Sequence, residues 1–164
     1  MYTQYLEVRP AHIGKGIFTK MEIPANVPIT EFRGNICTAE QLPEDSSIYL
    51  QIGPNTFLMP TGTVVGADFI NHACQPNCTV RAVGNRVILY SLYVIPKNTE
   101  LTFDYSTTST DTYDTWKMEC KCPAFKCRKI ISGFQYLDSQ LKEDYIKRGL
   151  VPIYISHPNL ILKR

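Results

Sequence analysis

No stretch of this chain is apolar for long enough to cross a bilayer; the longest such run, Val87–Ile95, is short and carries Ser91. A strong charge of one sign is missing too. Seventeen Lys plus Arg stand against 15 Asp plus Glu, a net +2, which lacks the basic excess of a protein that holds nucleic acid mainly through its phosphates. The opening MYTQYLEVRP has no apolar core followed by a small-residue cleavage site, so no secretory signal is expected and the reading is intracellular, nucleus or cytoplasm. No internal repeat or long linker divides the 164 residues, about the length of one domain. With 44% hydrophobic and 20% charged residues, the composition is that of a globular chain rather than a disordered one. These absences set aside a membrane protein, a secreted disulfide scaffold, a coiled coil and a phosphate-driven nucleic-acid binder.

Six cysteines are present: Cys37, Cys74, Cys78, Cys120, Cys122 and Cys127. Without an export signal, their clustering suggests reduced thiols around a metal rather than bridges. Cys120, Cys122 and Cys127 form C-x-C-x4-C, close enough for three thiolates to converge on one ion. Tetrahedral zinc wants a fourth ligand, and spacing alone leaves Cys74, Cys78, His72 and Cys37 as candidates. Glu119, Lys121, Lys126 and Arg128 interleave with the three thiols, which argues against their being merely small buried hydrophobes.

Residues 1–105 read as short strands separated by turn chemistry. Gly14-Lys15-Gly16 precedes the apolar Ile17-Phe18, and Val27–Phe32 alternates, with Pro24 and Pro28 opposing a helix. Tyr49–Ile52 and Thr56–Met59 flank Gly53-Pro54-Asn55 as a hairpin, and Thr79–Val83 and Arg86–Tyr90 flank a two-residue Gly84-Asn85 turn. Thr38 and Gln41 have capping-box spacing for one short helix stopped near Pro43. Ser106–Thr115 reads as a polar loop. Further on, Asp138 is placed to cap a helix with Leu141, Tyr145 and Ile146 on one face and Gly149 at its end. Val151–Leu162 alternates apolar and polar residues around Pro152 and Pro158.

Two further motifs carry polar and aromatic residues suited to a site: Asn71-His72-Ala73-Cys74-Gln75-Pro76-Asn77 and Glu100-Leu101-Thr102-Phe103-Asp104-Tyr105. Each alone is also compatible with an ordinary turn or edge strand. The G-x-G at 14–16 lacks the third glycine and following helix of a dinucleotide fold. Together and in this order, the motifs resemble the SET-domain protein-lysine methyltransferases, including their zinc-binding post-SET segment. The matching pieces are GKGIF (14–18), TEFRG (30–34), DFINHACQPNC (68–78), ELTFDY (100–105) and CKCPAFKC (120–127). The resemblance runs from about Val8 to Arg128. Because only a few residues precede Val8, it implies a minimal SET domain without a cysteine-rich pre-SET region.

The resemblance implies a mainly β fold with short helices: small curved sheets, a pseudoknot-like threaded C-terminal segment, a zinc-binding post-SET and a C-terminal helix. The implied division is SET domain 1–118, post-SET zinc segment 119–131 and helical tail 132–164. It further implies transfer of a methyl group from S-adenosylmethionine to a lysine ε-amine, on histone tails or another protein, with no membrane partner. By resemblance, Ile13, Lys15, Gly16, Asn71 and His72 hold the cofactor, with Tyr49 a further contact and Lys121 over the adenine. Trp116 or, by spacing, Met118 is the aromatic or apolar partner there. Cys74 becomes the fourth ligand of one structural zinc with Cys120, Cys122 and Cys127, leaving Cys78 and Cys37 as ordinary thiols. Tyr105 matches the catalytic tyrosine, which orients donor and amine; Phe32, Phe103 and Tyr105 line the lysine channel.

Phenylalanine at position 103, where a tyrosine hydroxyl would restrain further turnover, favours di- or trimethylation. Three positions depart from the family pattern: Phe32 replaces a tyrosine, Asp68 an arginine and Ala73 a residue that is often serine. Phe32 and Asp68 are the features that favour the competing reading, a weak or inactive SET-fold module that binds peptide or protein partners. Glu44, Asp45, Asp111 and Asp114 can attract a basic tail or form a plain solvated surface.

Overall fold

The computed structural model describes residues 1–43, 49–61, 69–83, 86–110 and 116–157. Strands β1 (Leu6–Pro10) and β2 (Lys15–Thr19) form an antiparallel hairpin whose turn is opened by Gly14 at φ 58°, a left-handed position suited to glycine. Strands β3 (Pro28–Phe32) and β4 (Gly34–Cys37) follow, then the hairpin β5 (Leu50–Gly53) and β6 (Thr56–Pro60). Next come β7 (Asn71–His72), β8 (Cys78–Val83), β9 (Arg86–Ser91) and β10 (Thr102–Phe103). The small sheets run β3-β9-β8 and β4-β6-β5. Both hairpins expected from turn chemistry are present; the Gly84-Asn85 turn lies outside the described residues, although Val83 pairs with Arg86 across it.

A single core joins these sheets. Ile17, Ile23, Ile29, Leu89 and Leu101 have no exposed surface, and Phe32, Phe103, Ile70 and Cys78 belong to the same cluster. Full burial of each such aliphatic side chain contributes roughly 1.5–3 kcal/mol, so the strands that carry the chemistry are anchored from beneath.

The segment 99–103 is inserted between two earlier parts of the chain. On one side Thr19 N–H donates to Thr99 O (3.1 Å) and Leu101 N–H to Ile17 O (2.8 Å). On the other, β10 pairs in parallel with β7, and Ala73 N–H donates to Phe103 O (3.2 Å). Asn77 fastens the same side, giving Nδ2–H to Glu100 O (2.7 Å) and accepting Thr102 N–H at Oδ1 (2.9 Å). This is the expected thread, and parallel pairing of strands so distant in sequence requires such a crossover.

Beyond it, β11 (Lys117–Glu119) and β12 (Ile130–Ser132) bracket the cysteine segment as an antiparallel pair. Helix α1 (Ser139–Lys147) is capped by Asp138, which accepts from Gln140 N–H (2.9 Å) and Leu141 N–H (3.4 Å), and Gly149 follows it at φ 64°. The shared face is narrower than expected. Tyr145 is buried and Leu141 half-buried, four residues apart, whereas Ile146 is turned largely to solvent. The last stretch, within the expected helical tail, holds a short helix, α2 (Ile153–Ser156), placed after Pro152; residues 158–162 are outside the described ones. The Tyr154 hydroxyl on α2 lies within hydrogen-bond distance of two carbonyls, Gln51 O (2.8 Å) and Thr108 O (2.7 Å), tying the tail to the β5 strand. The expected Thr38 turn is a single 3-10 turn over Ala39–Gln41, closed by Thr38 N–H donating to Gln41 Oε1 at 2.9 Å.

Candidate functional site

The motifs meet where the thread passes β7. Asn71 Nδ2 lies 3.0 Å from Lys15 O, 3.3 Å from Ile13 O and 2.7 Å from Glu100 Oε1, so one amide joins the N-terminal hairpin, β7 and the thread. Gly16 suits this approach: a Cβ there would sit 2.9 Å from Glu100 Cδ and 3.0 Å from Ala11 Cβ, so the Glu100 carboxylate would have to shift. Beside this junction lies a cavity of about 340 Å³ lined in part by Ile13, Asn71, His72, Glu100, Gln75 and Pro123. Glu100 is the acidic residue among those lining it, which suits a cationic ligand.

The parallel pair places Phe103 and His72 side by side, and Tyr105 follows in the next turn. Tyr105 stands 4.9 Å from the Phe103 ring and edge-on to His72 at 5.4 Å, and Phe103 meets Phe32 edge-on at 6.0 Å. The three residues assigned to the lysine channel are therefore in contact in one aromatic file. The Tyr105 hydroxyl donates to Ile70 O (2.9 Å), and burial, reinforced by the Glu100 charge, pushes its pKa up to about 12. It stays neutral across the working pH range, an oriented dipole rather than an anion.

His72 is buried, and that burial brings its pKa down to about 4 against the opposing pull of Asp104. The neutral ring accepts Tyr105 N–H at Nδ1 (3.2 Å), which places its own proton on Nε2, 3.2 Å from Cys74 Sγ. Cys74 Sγ lies 3.7 Å from Cys120 Sγ, and one ligand atom each from His72, Cys74, Cys120 and Cys122 falls within 4.8 Å of the others, all four residues buried. Main-chain donors point at this cluster: Arg128 N–H at Cys74 Sγ (3.4 Å) and Cys74 N–H at Cys122 Sγ (3.5 Å). Burial opposes ionisation of all three thiols and raises Cys74 and Cys120. At Cys122 the N–H groups of Cys74 and Ala124 and the adjacent thiols prevail, bringing it down to about 7. Cys127, half-buried, packs against the same cluster with Sγ 3.5 Å from Cys120 O. Cys78 lies in the main core, its thiol pushed far up by burial, and Cys37 is buried on β4.

Other assigned residues stand apart from the cavity. Tyr49 packs edge-on against Phe57 (5.5 Å), and Trp116 lies against the cysteine cluster with Nε1–H donating to Ser109 Oγ (2.5 Å). Lys121 is exposed and paired with Glu119 (3.3 Å), Met118 is largely exposed, and Lys15 contributes its carbonyl while its side chain faces solvent. Asp68, Glu44, Asp45, Asp111 and Asp114 lie outside the described residues.

Asp104 received no role from the sequence, yet its carboxylate is fully buried at the centre of the site. Arg128 grips it with both terminal nitrogens at 2.7 Å, Tyr145 OH donates to Oδ2 (2.9 Å) and Ser106 N–H to Oδ1 (3.1 Å). An aspartate inside an apolar strand motif is the signal that could have found it, since a carboxylate there needs a cation from elsewhere.

Residues 14–106 match the model of the SET domain. The chain is 30% identical over 137 residues to human histone-lysine N-methyltransferase 2B, covering 76% of this chain and 5% of that protein. It is 29% identical over 145 residues to histone-lysine N-methyltransferase trithorax of Drosophila melanogaster, covering 80% of this chain and 4% of that protein. The chain thus spans about a twentieth of the length of these curated relatives. Among solved structures it superposes with a TM-score of 0.61 and 28% identity on KRYPTONITE in complex with mCHH DNA, H3(1-15) peptide and SAH, covering 79% of this chain and 31% of that one.

Proposed function

This chain belongs to the SET-domain family, and from that premise we propose that it is an S-adenosylmethionine-dependent protein-lysine N-methyltransferase acting on histone tails. The observation that carries the reading is that Asn71 and His72 line one cavity at the thread while Phe103 and Tyr105 pack beside His72, which also meets a cluster of buried thiols. The relatives' names supply the lysine and histone substrate class, and a histone substrate implies a nuclear place of work. Among the described residues no helix is long and apolar enough to cross a membrane.

The cavity fits the cofactor. Ile13, Asn71 and His72 line it, Glu100 gives a carboxylate, and the carbonyls of Ile13 and Lys15 are at the same junction. Gly16 lies beside the approach; Tyr49, Trp116 and Lys121, which stand apart from the cavity, are assigned to the cofactor by resemblance alone. When bound, S-adenosylmethionine supplies an electrophilic methyl group. The chain's own task is alignment and desolvation. Free lysine, with a pKa of about 10.4, is protonated at neutral pH, and a channel of Phe32, Phe103 and Tyr105 disfavours the ammonium form. The fixed, neutral Tyr105 hydroxyl then orients the amine, and no separate general base is needed. Phe103 leaves room for di- or trimethylation.

The thiols fit one structural zinc held by Cys74, Cys120, Cys122 and Cys127. Deprotonated sulfur is stabilised by the N–H donors aimed at Cys74 and Cys122. Of the two candidates for the remaining position, Cys127 is favoured over His72. Coordination through Nε2 would move the imidazole proton to Nδ1, against the Tyr105 N–H already there. His72 instead donates to Cys74 and orients a ligand. On this reading the SET domain covers 1–118, the zinc segment 119–131 and the tail 132–164.

The test is incubation of the purified chain with labelled S-adenosylmethionine and histones. Label on histone lysines that disappears in Tyr105→Phe supports the proposal. Failure of the wild-type chain to bind or transfer the label refutes it, and retention of peptide binding alone would mark a non-catalytic module.

A further inference from the structure

Asp104 precedes the tyrosine to which catalysis is assigned, and nothing within its own strand neutralises it. Its donors come from two later segments: Arg128, just past the cysteine cluster, and Tyr145, on α1. Asp104 also caps the turn Tyr105–Thr107 through Ser106 N–H, and its Oδ1 lies 3.5 Å from His72 Nδ1. The position of this carboxylate therefore sets where the Tyr105 turn begins. Arg128 meets both oxygens, one with each terminal nitrogen; the Tyr145 hydroxyl holds Oδ2 from a different element.

We propose that helix α1 is a positioning element of the active site, with Tyr145 acting through Asp104 on the turn that carries Tyr105. The inference rests on the methyltransferase reading above. A tail that only covered apolar surface would need a phenyl ring at this point; the hydroxyl is directed at the one carboxylate that is buried among the described residues, next to Tyr105. Tyr154 provides the contrast within the same tail. It is equally buried, and its hydroxyl goes to the carbonyls of Gln51 and Thr108, away from Asp104.

The experiment compares Tyr145→Phe with Tyr154→Phe in the full-length, zinc-loaded chain, using labelled S-adenosylmethionine and histones. If the wild-type chain does not transfer label, the methyltransferase reading fails and this inference falls with it. With an active wild type, Tyr145→Phe is expected to lower kcat about tenfold while KM for the donor stays within about twofold, since small misalignments act on the chemical step. Zinc per chain is unchanged in both variants, and Tyr154→Phe loses thermal stability but keeps its kcat. The inference is overturned if Tyr145→Phe keeps its kcat, if Tyr154→Phe loses as much, or if Tyr145→Phe does not fold. Each of those results would make the hydroxyl a support of the fold alone.

Discussion

Replacing Arg128 with alanine strands the Asp104 carboxylate. Asp104 has no exposed side-chain surface and Arg128 has 19%, so the pair is shielded from solvent on one side and partly open on the other. Removing one partner of a buried pair costs about 3–5 kcal/mol. The remaining donors, Tyr145 OH and Ser106 N–H, and the partial opening left by the guanidinium place this case at the lower end, about 3 kcal/mol. At roughly 2–4 °C per kcal/mol for a chain of this size, Tm should fall by about 6–12 °C. The Arg128 contact to Cys74 is made by its main-chain N–H and survives the substitution, so zinc per chain should not change. Adding Asp104→Asn removes the uncompensated charge, and the double variant should be more stable than Arg128→Ala alone, with a coupling of about 2 kcal/mol. Calorimetry on the four zinc-saturated proteins measures this. A Tm for Arg128→Ala within about 2 °C of wild type, or strictly additive losses, would refute the reasoning.

Cys127→Ser should lower zinc per chain, measured by atomic emission, while Cys78→Ser leaves it at one because that thiol lies in the main core. Unchanged zinc in Cys127→Ser would move the fourth position to His72. Gly16→Ala should weaken S-adenosylmethionine binding by about tenfold in calorimetric titration, because the added methyl displaces Glu100 from Asn71; unchanged affinity would remove that junction from the cofactor site. Phe103→Tyr should shift mass-spectrometric products toward monomethyl-lysine. A product distribution identical to wild type would show that ring not to limit the channel.

Much of the site was legible because short motifs carry both the fold and the chemistry. Asn71, His72, Phe103 and Tyr105 were identified from two motifs, and the thread explains their meeting: β10 lies in register with β7. The hairpins followed from Gly53-Pro54-Asn55 and from the apolar runs facing one another across the second turn. The centrality of Asp104 was not legible, because its partners Arg128 and Tyr145 are distant in sequence and neither belongs to a motif with it. What the last stretch packs against was not legible from its alternation either. Tyr154 and Ile155 are buried together with α1 residues, and a helical turn satisfies that contact. Ile146 was grouped with Tyr145 by hydropathy although the next residue on a helix points well away from its neighbour.

The inserted segment 99–103 also constrains the order of assembly. Its hydrogen bonds to Ile17 and Thr19 on one flank and to Ala73 and Asn77 on the other require both flanks to be in place, and all of these partners are remote along the chain. Contacts of such long sequence separation form slowly. The last part of the molecule to close is therefore the candidate site, so regain of donor binding after dilution from denaturant should trail regain of secondary structure. A formed candidate site is, for this chain, a mark of completed folding.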